Sequence, residues 1–201
     1  MNVLSNFTYL ESIAPTINYA TAIQRLTFQD VKNGGFPYPI SIADPNSYEK
    51  VAIQELRLYR YPERYSGYLH QGQLVAYMKQ ADWTLRDDLP FSGLATRLNQ
   101  RIQIWRNGNL STGDWGVFGL VVDEKQSRPV REEIFFELLN QAILRAKRLG
   151  CSKVNIVMSP NDPALGTVAF LGFTPVGRWG EVAGLEGKKQ RRYQLTIDTM
   201  R

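Results

Sequence analysis

The sequence predicts one α/β domain, a mixed sheet flanked by helices, and three runs carry that prediction. Gly116-Val117-Phe118-Gly119-Leu120-Val121-Val122 is short and almost wholly apolar, the pattern of a strand covered on both faces. Val130, Ile134, Phe135, Leu138, Leu139, Ala142, Ile143, Ala146 and Leu149 then fall on one stripe of a long helix. Lys153 to Ser159 follows as a β-branched strand.

Composition sets the outer bounds. With 201 residues, 43% hydrophobic and 21% charged, the chain can bury one complete core and lies far from the disordered class. We read residues 1–201 as a single domain. One cysteine, Cys151, and one histidine, His70, allow no internal disulfide and no metal site of the CxxC or CxxH type. A reducing cytoplasm is the expected compartment, since Met1 to Ser12 has neither the basic start nor the apolar run of a signal peptide. No stretch approaches the roughly 18 apolar residues of a membrane span. The net charge of +5 favours anionic partners such as phosphates, nucleic acid or an acidic cofactor.

The elements follow in order. Ile17, Ala20, Ile23, Leu26 or Phe28, and Val31 predict a first helix over Thr16 to Lys32, stopped by Asn33-Gly34-Gly35. Phe36-Pro37-Tyr38-Pro39 must be a loop, because each proline lacks an N–H. Ser47 is placed to cap a second helix running toward Tyr59, with Pro62 marking its end. Ser66 to Leu69 and Gln73 to Met78 flank His70-Gln71-Gly72 and read as a hairpin. Leu94, Leu98, Ile102 and Trp105 predict an inserted helix within Asp82 to Asp114, ended by Asn107-Gly108-Asn109. In the long helix, Pro129 sits in the first turn, and Arg145, Lys147 and Arg148 precede Gly150. Pro163 to Leu171 predicts a short helix, and Thr174 to Trp179 with Arg192 to Asp198 predict two closing strands.

The order and spacing from Gly116 to Arg178 resemble the cofactor-binding half of the GNAT superfamily of N-acetyltransferases, over about a third of the chain. Asn161, Ala164, Gly172 and Phe173 match a family motif of Asn, Ala three on, Tyr four further, then Gly-Phe. Leu149-Gly150-Cys151-Ser152-Lys153-Val154 looks like the family's helix end, turn and following strand. The resemblance implies a mixed, mostly antiparallel central sheet, with 1–115 forming the acceptor-side half and its inserted helix, and 116–201 the acyl-coenzyme A half. It implies acetyl-coenzyme A, or another acyl-coenzyme A, as cosubstrate, no metal, and a small-molecule or peptide amine as acceptor. The oligomeric state is left open, a homodimer included.

Two departures accompany it. The family loop before the long helix resembles RxxGxG or QxxGxA, whose glycines let backbone N–H groups approach a diphosphate. Here Asp123 to Glu133 holds no glycine, and the family's glycine positions fall on Glu133 and Phe135 when the helices are aligned from their C-terminal ends. Val168 stands where many members carry a tyrosine that protonates the departing thiolate, and valine has no proton to give.

The candidate cofactor residues are Val121, Val122, Arg128, Arg131 and Asn161. By the resemblance, Val121 and Val122 offer backbone groups to the pantetheine arm, whereas core packing alone accounts for their side chains. Arg128 and Arg131 either clamp the phosphates in place of the missing glycines or form a solvated pair bonded to Glu132 or Glu133. Asn161 either touches the cofactor or caps the short helix. For a base the sequence offers Asp114, Asp123 and Glu124 at the ends of the central strand, each also readable as a surface carboxylate. His70 reads as a turn residue and Cys151 as an inert thiol. The loop from Asn33 to Ser47, with Phe36, Tyr38 and Asp44, is the expected acceptor surface by the resemblance. Arg57 to Tyr65 interleaves bases and rings as nucleic-acid binders do, but without a motif, and reads better as an exposed helix end. Three rivals to amine acylation stand: a coenzyme A-binding or cofactor-free module on the same fold, an enzyme like the acyl-homoserine-lactone synthases, and a nucleic-acid-binding module.

Overall fold

The computed structural model describes residues 3–32, 48–82, 114–182 and 185–197. Among the described residues, seven strands form one sheet: β1 (Phe7–Leu10), β2 (Tyr65–His70), β3 (Gln73–Asp82), β4 (Asp114–Val122), β5 (Lys153–Met158), β6 (Thr174–Val182) and β7 (Leu185–Thr196). Their spatial order is β1-β2-β3-β4-β5-β7-β6, which makes β4 the middle strand. Every neighbouring pair is antiparallel except β4 with β5. A parallel pair needs a crossover, and the long helix α3 (Arg128–Arg148) provides it.

Helices cover both faces. α1 (Ile17–Lys32) and α2 (Tyr48–Arg60) lie on one side, where Ala20, Ile23, Leu26, Val51 and Leu58 pack with Tyr65, Leu74, Tyr77 and Val121 of the sheet. On the other side α3 and the short α4 (Leu165–Phe170) join Met78, Trp115, Val117, Leu120, Val154 and Ile156. The α3 stripe explains this placement: seven of its nine apolar positions, Ile134 to Ala146, are buried, while Val130 is partly buried and Leu149 lies exposed past the helix end. Gly150, at φ 70°, then closes α3, with Cys151 N–H donating to Ala146 O at 2.9 Å and Gly150 N–H to Lys147 O at 3.0 Å. The β2–β3 turn takes positive φ at both Gln71 (52°) and Gly72 (77°), the geometry that matches the twist of a two-residue hairpin.

The structure departs from the sequence reading at several places. β1, which pairs with β2, has no counterpart in the sequence reading: its residues Phe7, Thr8 and Tyr9 favour a strand, but four positions are too few to show a period. β7 begins at Leu185 rather than Arg192, because its first half, Glu186 to Arg191, is polar and basic and hides the alternation. The Ser47 cap, the loop from Asn33 to Ser47 and the inserted helix around Leu94 to Trp105 lie outside the described residues. Among the described residues, no helix is long and apolar enough to cross a membrane.

Candidate functional site

The site begins where two central strands stop pairing. β4 and β5 are in register from Asp114↔Lys153 to Val117↔Ile156, and β4 then runs on to Val122 along β3. Lys79 faces Gly119 and Gln80 faces Val117, so Phe118 is an extra residue on β4. Such a bulge bends the strand that carries it, and here it sits at the last β4–β5 pair. Beyond it the β5 side of β4 opens.

Strand alternation decides which backbone groups face that opening. Asp123 N–H donates to Val75 O at 2.7 Å, so the Asp123 peptide groups face β3. With a period of two, those of Val121 also face β3, and those of Leu120 and Val122 face away from it. Of the two valines singled out in the sequence, Val122 is therefore the one whose backbone borders the opening, and Leu120, missed there, joins it. Both side chains are accounted for by packing: Val121 against α1 and α2, Val122 against the α3 side.

The connection into α3 is shorter than the sequence suggested. It runs only from Asp123 to Ser127, because Arg131 N–H already donates to Ser127 O at 3.0 Å. Glu133 is thus helical, and Phe135 is in the core rather than near a phosphate loop. Asp123 organises the turn without glycine: its carboxylate accepts from Lys125 N–H at 3.0 Å, and its carbonyl accepts from Gln126 N–H at 3.0 Å. Arg25 of α1 approaches the same carboxylate at 3.8 Å. Asp123 is buried, not a surface carboxylate.

At the first turn of α3, Ser127 makes no side-chain cap bond, so Arg128 and Val130 keep N–H groups that no cap satisfies. The two arginines part company. Arg128 is exposed, and its Nε donates to Glu132 at 2.7 Å, the solvated-pair alternative. Arg131 is partly buried, and its Nε is a buried donor without a hydrogen-bond partner.

After β5, Asn161 is exposed, and no side chain caps the short helix, whose N-cap residue is Ala164; Asp162 forms the turn just before it. Its Oδ1 accepts from Ala164 N–H at 2.9 Å, and burial pushes its carboxyl up to about 6. Val168 is fully buried in the core shared with Ala164 and Phe173.

On the face that carries α1, a polar row crosses the strands. Asn155 Nδ2 lies 3.5 Å from Asp114 Oδ2, and Gln194 Nε2 donates to Asn155 Oδ1 at 2.9 Å. Burial lowers the Arg192 guanidinium from its usual range, opposed by the Asp114 carboxylate. Asp114, read as a strand-end carboxylate, is fully buried, as is Asn155. The sequence did not flag Asn155, Gln194 or Arg192, since only the register Asn155↔Gln194 and Val157↔Arg192 brings them to Asp114. His70 stacks on Phe7 at 4.5 Å between ring centroids, and Cys151 is buried. In the basic-aromatic run, Arg64 sits over the Tyr61 ring at 3.9 Å and Tyr65 is in the core, as a helix end requires.

No family profile and no curated protein matches the sequence. Solved structures do match the fold. YncA of Salmonella typhimurium, solved with its cofactor acetyl-CoA, is 16% identical with a TM-score of 0.61, over 96% of this chain and 95% of that one. A GNAT-family acetyltransferase of Streptococcus pneumoniae is 11% identical with a TM-score of 0.61, over 95% and 99%. The NatC complex bound to Gag peptide and CoA gives 13% and 0.60, over 96% and 99%. The seven-stranded sheet with its one parallel pair thus shares its fold with these solved structures, the GNAT-family acetyltransferase among them.

Proposed function

We propose that this chain transfers an acetyl or other acyl group from acyl-coenzyme A to a small-molecule or peptide amine. The observation that carries the reading is the β4–β5 opening, bordered by the backbone of Leu120 and Val122 and ending at an α3 turn with uncapped N–H groups and Arg131. Those strand groups suit the amides of a pantetheine arm, which pair as an added strand would. The helix turn and the guanidinium suit a diphosphate. YncA solved with acetyl-CoA and NatC solved with CoA support the same reading on the same fold.

In the reaction the amine nitrogen attacks the thioester carbonyl carbon, the C–S bond breaks, and the nitrogen loses a proton while the thiolate gains one. Backbone N–H groups at the bulged strand suit the charge that grows on the carbonyl oxygen. Val168 supplies no proton, being an alkyl group packed in the core. The Asp114–Asn155–Gln194 row lies on the opposite face from α3, the side left for an acceptor once the cofactor lies against α3.

The test is release of the coenzyme A thiol from acetyl-CoA in the presence of a panel of amines, with mass detection of the acylated product. Amine-dependent release supports the reading. Failure of the protein to bind acetyl-CoA at millimolar concentration contradicts it.

A further inference from the structure

Phe170, the last residue of α4, is 80% exposed, more than any other large hydrophobic residue among the described residues. Core packing does not account for it: Val168, two positions earlier, is the buried residue of this helix, and a two-residue step turns the side chain to the far side. Its ring partner is Phe136 of α3, at 6.2 Å between centroids and 58° between planes. A tilted pair of this kind leaves the outer surface of Phe170 to solvent. It offers a planar apolar platform on the outside of the two helices.

The position of the platform selects its occupant. Arg128, Glu132 and Phe136 follow one another at four-residue steps, so Phe136 lies on the same ridge of α3 as its first turn. Eight residues of helix separate Arg128 from Phe136, about 12 Å along the axis. A diphosphate held at the first turn thus has an aromatic surface about 12 Å further along the same helix, a span that a ribose and its base cover together, on the solvent side. Stacking on an aromatic side chain is how proteins hold a nucleobase without reading its edges.

We infer that the Phe136–Phe170 pair is the stacking surface for the adenine ring of the coenzyme A nucleotide, a role that rests on the acyl-coenzyme A reading above. The cofactor is then gripped at both ends, by strand backbone at the pantetheine arm and by a ring platform at the base.

The test is calorimetric titration of the full chain with coenzyme A and, separately, with 4′-phosphopantetheine, which lacks the nucleotide. Phe170→Ala should weaken coenzyme A about tenfold and leave 4′-phosphopantetheine unchanged. Phe170→Trp should restore or exceed the original affinity for coenzyme A. Because the side chain is exposed, neither substitution should alter the fold, and circular dichroism checks this. Equal coenzyme A affinity in the wild type and Phe170→Ala overturns the assignment, as does an equal loss for both ligands. Unchanged affinity with a lowered sedimentation mass assigns the platform to a second copy of the chain instead. A wild type that binds neither ligand overturns the cofactor reading itself, and the platform with it.

Discussion

Arg128 and Arg131 sit in the same helical turn, yet their surroundings give them different work. Arg128 is solvated and already bonded to Glu132, so an exposed pair of this kind contributes little. Arg131 keeps a buried, unpartnered Nε, and a phosphate is the partner that would satisfy it. Arg131→Ala should therefore weaken coenzyme A by about 2 kcal/mol, the scale of a hydrogen bond to a charged group, while Arg128→Ala should change it little. Titration calorimetry separates the two. Asp162 offers a pH test. Its pKa is raised from 3.8 to about 6, so the folded state binds the proton more tightly than the unfolded chain. That contribution is fully present below pH 3.8 and is lost as the pH rises through 6. Asp162→Asn keeps an oxygen for Ala164 N–H and has no charge to bury. The stability of the variant relative to wild type should rise between about pH 4 and pH 7 by up to about 3 kcal/mol, read from urea midpoints at each pH. At Val168, a tyrosine would enter a fully buried site, and overpacking should cost about 1–3 kcal/mol in the same measurement without supplying a useful acid.

At the scale of elements, β2 and β3 approach so closely at Gly67 that a Cβ there would press on the Ala76 carbonyl oxygen. Gly67→Ala should cost about 1–3 kcal/mol and lower the melting temperature, because backbone must move to make room. The elements best read from sequence were those with strong local periodicity or turn chemistry. The α3 stripe, the hairpin turn at Gln71-Gly72 and the apolar β4 run each state their structure within a few residues. β1 and the first half of β7 do not, since short or charged strands owe their conformation to the neighbour they pair with. The site was legible to a similar extent. Val122 came from the family resemblance and Arg131 from its charge at the helix start, whereas Asn155, Gln194 and Arg192 meet Asp114 only through strand register, and Leu120 only through the phase set by Asp123. The absence of a glycine before α3 was visible in the sequence. That Asp123 would build the turn instead was not, because its bonds to Lys125 and Gln126 are made by geometry and not by residue type alone.

At the scale of the molecule, the sheet is continuous from β1 to β6 except where β4 and β5 part, and the proposed ligand fills that gap. Binding there would tie the two flanks of the sheet together through one molecule. A ligand that binds only the folded state stabilises it by mass action, about 2.7 kcal/mol at a concentration one hundred times Kd, so acetyl-CoA should raise the melting temperature in a concentration-dependent way. The most direct test of the central claim is a crystal structure of the chain with acetyl-CoA. The account predicts the pantetheine arm between β4 and β5, paired with the backbone of Leu120 and Val122, and the diphosphate at the first turn of α3 beside Arg131. A crystal grown at saturating acetyl-CoA in which that opening is empty, or in which the cofactor lies elsewhere on the chain, would contradict it.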